Sequence, residues 1–451
     1  MARQYIRNVS AAVVGSVAMG IAQVLLLGFL ARFLSSGYMA DFVFALMLVR
    51  VSEVISDFGA RIEVTRDVAR RQQRCRHGVV APFGQKIFFT GILIGFYVML
   101  PLGGLSPVEK ALCGAAGFFE TYTDPFLWWW RGRERLDVEA AFRAGGRILV
   151  AVALGLGAFL GLGLTALLII WLTVGVVRWA VEGRRWRRET AEIGTEWFHV
   201  EPISLSLAKT WRLIRLSFPA GISLFILSLS QRLGVILIGV SGAKQQLAGF
   251  GPIVALVGAG GLIVTAMTAA AFPGMSRAYH AGETAVFEGM VARKTCWIAG
   301  IMLMAAVVGV AVGPGMIALY LGRRFGGYAE VMVLAMPAYY YSGVAYWQKY
   351  VSNAMRLDWG DTVVLVLGIL SFVGIFYAQS GRGAKAAVIA WSASEIIMVG
   401  LRAYLIGIRS PRLGRVFLTW WAWGLVVVVA SYIVTPWSGH LFAMTANMLH
   451  F

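Results

Sequence analysis

The feature that most constrains this chain is a recurrence of apolar runs, each about 18 residues or longer, the length that crosses about 30 Å of hydrocarbon as an α-helix. They fall near 12–33, 39–58, 87–105, 110–130, 144–162, 164–181, 216–240, 247–275, 295–320, 329–351, 361–379, 383–406 and 416–436. The runs are continuous rather than alternating, which excludes a membrane β-barrel. With 59% hydrophobic residues the chain is well outside the range of soluble domains. Little chain is left for any soluble domain, so the expected fold class is an all-α polytopic membrane protein with 12–14 transmembrane helices. Whether residues 437–451 add a last, partial span is open at this level.

The net charge of +18 could suggest a nucleic-acid partner. Sorted by loop, however, most Lys and Arg fall on one side, with the heaviest stretches at 61–86 and at 178–189 (RWAVEGRRWRRE). This is the positive-inside bias, and it sets the N-terminus in the cytoplasm. Anionic headgroups are then sufficient partners for most of these charges, and no nucleic acid is implied. The first span is preceded by Arg3 and Arg7, but it is too long for a signal-peptide core and reads as a retained helix.

The three cysteines, Cys75, Cys113 and Cys296, have no disulfide or metal spacing. The chain has no P-loop, no H-E-x-x-H and no paired DxD, and the outer loops are short, so an enzyme is not expected and nothing calls for a cofactor or a metal. The stretch 182–212 is the longest hydrophilic connection. It suggests an N-terminal six-helix bundle with its linker over 1–200, a C-terminal six-helix bundle over 201–410 and additional membrane segments over 411–451. Two such halves of equal topology favour a transporter with its path between them.

Charges inside the spans are the candidate functional residues, because each costs roughly 2.5–3.5 kcal/mol at the bilayer centre on insertion scales. Arg50, Glu53 and Asp57 share one helical face. Arg50 and Glu53 either pair locally or border a hydrated cavity, and Asp57 fits the headgroup region equally well. Arg232 lies among Leu and Ile with no acid within a turn, which favours a cavity-lining role. Arg32 closes the first span, where it could snorkel. Arg143 and Arg147 read as inner-side charges or as a phosphate site. Glu120, Asp124 and Glu395 are the other intramembrane acids, open to ion coupling or to pairing with an arginine elsewhere. Asp124 precedes Pro125, a helix-breaking position. The three tryptophans of WWWRGRER (128–135) are expected to belong to an interfacial aromatic belt.

At 57–70 the sequence DFGARIEVTRDVAR resembles the segment closing the second helix of Wzx-type O-antigen and polysaccharide flippases, through Asp57, Gly59, Thr65, Arg66, Asp67 and Ala69. PFLWWWRGRERL (125–136) is similar to that family's segment after the fourth helix, with Arg131 where a glutamine is common. SFPAGISLFILSLSQRLGVILIG (217–239) resembles its arginine-bearing seventh helix, with Leu233 and Gly234 where an acid often follows. FPGMSRAY (272–279) and GRRFGGYAEVMVLAM (322–336) extend the likeness over most of the chain.

The resemblance implies a multidrug/oligosaccharidyl-lipid/polysaccharide exporter, with two six-helix bundles forming a V-shaped central cavity. It implies a bacterial cytoplasmic (inner) membrane location and a flippase that moves a polyprenyl-pyrophosphate-linked oligosaccharide to the outer leaflet by alternating access. A polysaccharide polymerase and chain-length regulator are the implied partners, besides membrane lipids. A cationic cavity of Arg50, Arg232, Arg32 and Arg147 would suit the pyrophosphate. Glu53, Glu120, Asp124 and Glu395 keep a cation-coupled multidrug exporter of the same superfamily as an alternative. A non-transporting membrane scaffold of a polysaccharide-synthesis complex is the third reading.

Overall fold

The computed structural model describes residues 2–60, 64, 80–99, 104–133, 135–192, 207–241, 243–379, 381 and 383–448. Among these the chain is helical nearly throughout, without strands. The helices are α1 (Ala2–Phe33), α2 (Ser36–Asp57), α3 (Val80–Met99), α4 (Pro107–Tyr122), α5 (Asp124–Gly132), α6 (Leu136–Phe159), α7 (Leu164–Glu192), α8 (Leu207–Val240), α9 (Leu247–His280), α10 (Thr284–Leu321), α11 (Ala329–Ala354), α12 (Asp358–Ala378), α13 (Ala384–Arg409), α14 (Pro411–Val434) and α15 (Ser438–Met448). A 3-10 turn, Thr435–Trp437, joins the last two, so the chain beyond 437 continues as a short helix.

Local chemistry fixes the helix starts. Ser35 Oγ accepts from the Tyr38 amide at the start of α2. Ser106 and Glu109 form a reciprocal capping box at α4, with Pro107 in the first turn. Ser410 caps α14 ahead of Pro411. The expected span 110–130 is split: α4 ends at Tyr122, and α5 restarts at Asp124 with Pro125 in its first turn. The Thr121 carbonyl that Pro125 cannot serve accepts from the Thr123 amide instead, and Thr123 O accepts from the Phe126 amide at 3.1 Å.

Among the described residues, eight helical segments are long and apolar enough to cross a membrane. Helices α2 and α4 depart for visible reasons. Asp41, Arg50, Glu53 and Asp57 interrupt α2, and α4 is only 16 residues long. Large apolar side chains stay exposed along the qualifying helices, among them Leu156 and Phe159 on α6, Val308 and Val312 on α10, and Val429 and Ile433 on α14. Such bands require hydrocarbon rather than water around them. The chain is therefore an all-α, multi-pass membrane protein.

Two compact units divide the chain, one comprising residues 1–26 and 33–232, the other 27–32 and 233–451. Within the first, α4 packs on α2, α3 and α7, and α6 packs on α5 and α7. Polar ties zip α2 to α3: Tyr97 OH donates to Leu48 O at 3.1 Å, Ser56 and Thr90 hydroxyls lie 3.0 Å apart, and Gln85 Nε2 donates to Asp57 O at 3.0 Å. Phe58 at φ 33° ends α2 in the left-handed region, and Gly59 follows at φ +79°. A Cβ on Gly59 would lie 2.7 Å from Ser217 O of α8, so glycine is needed for both the turn and the approach.

Trp128, Trp129 and Trp130 do not form an interfacial belt. All three are buried with Ala60, Val64, Val138 and Trp186. Consecutive helical residues point about 100° apart, so three buried neighbours require protein on every side of α5, and α6 and α7 supply it.

In the second unit α11 is the central helix, packed on α9, α10, α13 and α14 and buried along most of its length. Tyr340 and Tyr341 donate to the carbonyls of Trp420 (2.5 Å) and Trp421 (2.7 Å) on α14.

Candidate functional site

The intramembrane charges of the first unit form two chains of ion pairs across α2 to α7, which approach each other where Asp124 lies within electrostatic reach of Arg147. Arg50 pairs with Glu53 one turn on. Arg147, from α6, stands 3.2 Å from Glu53 and 3.1 Å from Glu120 of α4, bridging the two carboxylates. Glu120 also receives hydrogen bonds from Arg178 (3.0 Å) and Trp171 Nε1 (2.9 Å) of α7, and Arg178 reaches Glu182 at 3.4 Å. Gly146, beside Arg147, makes room for Arg178, since a Cβ there would overlap its guanidinium.

A second arm runs through Asp124. It faces Lys86 of α3 at 3.7 Å and Arg143 of α6 at 3.6 Å. Arg143 continues to Glu139 at 3.0 Å, which Arg131 also holds at 2.5 Å. Lys86 lies 4.9 Å from the Trp128 ring, a cation–π contact that shares its charge with an aromatic face. Charges taken out of water need this degree of pairing, because desolvation costs several kcal/mol per ion.

The network has an accessible end and a closed end. Arg50, Glu53 and Arg147 are 14%, 16% and 23% exposed, whereas Glu120 and Arg178 are 3% and 8% exposed. Arg232 of α8 belongs with the accessible end: it is half-buried and within electrostatic reach of Glu53, Arg50 and Arg147. Among the described residues its guanidinium bonds to its own helix, to Ser228 O at 2.9 Å and to the Ser228 hydroxyl. Among the described residues no carboxylate pairs with it. Two arginines, Arg50 and Arg147, thus share Glu53 at this end, with Arg232 within electrostatic reach of all three.

Arg32 is elsewhere. It donates to the Leu319 carbonyl of α10, in the second unit. Glu395 also lies in the second unit, buried on α13, with Trp391 Nε1 at 3.4 Å from one oxygen and no hydrogen-bond partner for Oε2. Nearby on the same helix Arg402 pairs with Asp361 of α12 at 2.6 Å. Lys349 of α11 is buried within electrostatic range of both.

The structure thus sets Arg50, Arg147 and Arg232 of the expected cationic cavity near Glu53, Glu120 and Asp124, and places Arg32 and Glu395 elsewhere; sequence reasoning misses Lys86, Glu139, Arg178 and Glu182, and Asp361 with Arg402. Arg178 heads the stretch read as inner-side basic chain; it is instead buried and doubly paired. The i, i+4 spacings Glu139–Arg143 and Arg178–Glu182 are the sequence signal that could have found Glu139, Arg178 and Glu182; Lys86, Asp361 and Arg402 pair between helices and leave none. Thr65, Arg66, Asp67, Ala69 and Cys75 lie outside the described residues. Cys113 and Cys296 are free thiols, and no metal-ligating cluster occurs among the described residues.

This fold is shared with transporters of the MOP superfamily. The chain is similar to the lipid II flippase MurJ in an inward closed conformation (TM-score 0.65, 12% identity, covering 96% of this chain and 98% of that one). It is also similar to the MATE multidrug transporter DinF-BH (TM-score 0.60, 13% identity, covering 91% and 96%). A third likeness is to a MOP superfamily transporter from Pyrococcus furiosus, described as having a binding pocket of reversed polarity (TM-score 0.54, 12% identity, covering 94% and 96%). No protein-family model and no curated protein sequence matches the chain.

Proposed function

We propose that the chain is a flippase of the bacterial inner membrane, N-terminus in the cytoplasm. It would move a polyprenyl-pyrophosphate-linked oligosaccharide from the inner to the outer leaflet by alternating access, supplying an O-antigen-type polysaccharide polymerase and chain-length regulator. The observation that carries this reading is the accessible end of the charge network, where Arg50 and Arg147 share Glu53 and Arg232, with no carboxylate partner among the described residues, stands within electrostatic reach of them. Guanidinium groups offer forked donors that match phosphate oxygens. A pyrophosphate is the part of such a substrate that binding must recover from water. The fold shared with a lipid II flippase supports the same class of cargo.

The test is complementation of a strain lacking its polysaccharide flippase. Arg232→Gln is expected to reach the membrane at wild-type level and to abolish surface glycan. Full complementation by both Arg232→Gln and Arg50→Gln would overturn the reading. Transport of the lipid-linked glycan by purified protein in liposomes separates a flippase from a membrane scaffold.

One observation favours a cation-coupled multidrug exporter instead: Glu395 is buried with an oxygen that makes no hydrogen bond, as a cation-binding carboxylate requires. Loss of activity in Glu395→Gln, with Arg50 and Arg232 variants active, would select that reading.

A further inference from the structure

We infer that Glu53 is an exchangeable counter-ion, a carboxylate that holds Arg50 and Arg147 in register for an anionic diphosphate headgroup and competes with that headgroup for the same donors. This deepens the flippase reading and rests on it.

The two carboxylates that touch Arg147 differ in how they are held. Glu120 is closed off on α4, and both of its oxygens have their own donors on α7: Trp171 takes one and Arg178 the other. It would stay paired if Arg147 moved. Glu53 has no such support. Its described partners are Arg50 and Arg147 alone, and the same oxygen serves both. All three side chains are partly accessible, unlike Glu120 and Arg178. Arg147 therefore has one fixed anchor and one releasable one.

A diphosphate approaching Arg232 meets a cation with no carboxylate of its own, then two whose shared acceptor is Glu53. Arginine–phosphate and arginine–carboxylate pairing use the same forked N–H geometry, so the headgroup and Glu53 cannot both take those donors in full. Removing the Glu53 charge leaves the arginines to the ligand alone. Keeping it makes binding weaker and release easier, which a carrier needs on the far side of its cycle. Glu53 is thus a positioning residue that sets affinity, and it acts on the ligand through Arg50 and Arg147.

The experiment measures binding of polyprenyl diphosphate, used as the probe, to purified protein in nanodiscs, alongside glycan export in cells. Glu53→Gln is expected to bind the probe at least tenfold more tightly, equivalent to about 1.4 kcal/mol, and to export less glycan. A neutral polyprenol is expected to bind both forms equally. If the wild type binds polyprenyl diphosphate no better than polyprenol, the flippase reading itself fails. If the wild type binds the diphosphate and Glu53→Gln binds it equally or more weakly, only the counter-ion role fails. Should Glu53→Gln not accumulate, the wild type decides the matter by infrared difference spectroscopy. A carboxylate band that shifts on adding the probe supports displacement, and an unchanged carboxylate region overturns it.

Discussion

Gly146 adjoins Arg147 on α6 but belongs to the neighbouring helix as much as to its own. The Arg178 guanidinium lies over its Cα, and that placement brings Arg178 within 3.0 Å of Glu120. In an isolated helix Gly146→Ala would stabilise by roughly 1 kcal/mol. Here the added methyl collides with a guanidinium, and overpacking alone costs about 1–3 kcal/mol. Pushing Arg178 off Glu120 adds the loss of one of the two carboxylates that pair with this buried guanidinium. We predict that Gly146→Ala lowers the melting temperature of the purified protein in detergent, while Gly145→Ala, which meets open space, does not. Equal melting of the two variants would show that the Arg178 placement is not needed.

At the scale of whole helices, α14 is docked on α11 through side chains that reach main-chain oxygens. Tyr340 and Tyr341 donate to the Trp420 and Trp421 carbonyls, and Gly424 leaves room for both rings. Each hydroxyl contributes about 0.6 kcal/mol on the scale of interhelical hydrogen bonds in membranes, with a maximum near 1.7. We predict that Tyr340→Phe combined with Tyr341→Phe lowers stability by about 1–2 kcal/mol on that scale, read as earlier unfolding in detergent, with assembly in the membrane intact. A larger loss, comparable to that of Gly424→Leu, would show that the rings and not the hydroxyls carry the docking.

The elements also show how far sequence reasoning reaches. Helix positions followed from hydrophobic length, because a bilayer imposes that length on any chain crossing it. The break at Asp124–Pro125 followed from proline chemistry. What the sequence could not show is which charges a helix turns inward. Arg178 and Lys349 sit near the ends of apolar runs, where a snorkelling residue and a buried one have the same neighbours in sequence. The tryptophans of α5 were misread for a related reason. An aromatic cluster beside arginines fits a membrane interface until the packing of α6 and α7 over it is known. Among the site residues, Arg50 and Glu53 were legible as a pair because they lie one turn apart. The bridge of Arg147 to Glu53 and Glu120 depends on three helices and leaves no local trace.

For the molecule as a whole, the asymmetry of basic residues predicts an orientation that can be measured directly. In a background with Cys75, Cys113 and Cys296 replaced by alanine, a single cysteine at Ser106, ahead of α4, should react with a membrane-impermeant maleimide added to intact cells. One at His280, the last residue of α9, should react only after the membrane is opened. The reverse pattern would invert the topology, and with it the direction of the proposed transport.

The charge network also bears on how such a chain is made. Three of its costly helices each carry an internal pair: Arg50 with Glu53 in α2, Glu139 with Arg143 in α6, and Arg178 with Glu182 in α7. Each of these segments can leave the translocon with one ion pair already formed inside a single helix. When the neighbours arrive, the partners are redistributed: Arg178 gains Glu120, and Arg147 links Glu53 to it. The pairs that make insertion tolerable for each helix thus become the joints between helices, and biogenesis and assembly draw on the same few residues in succession.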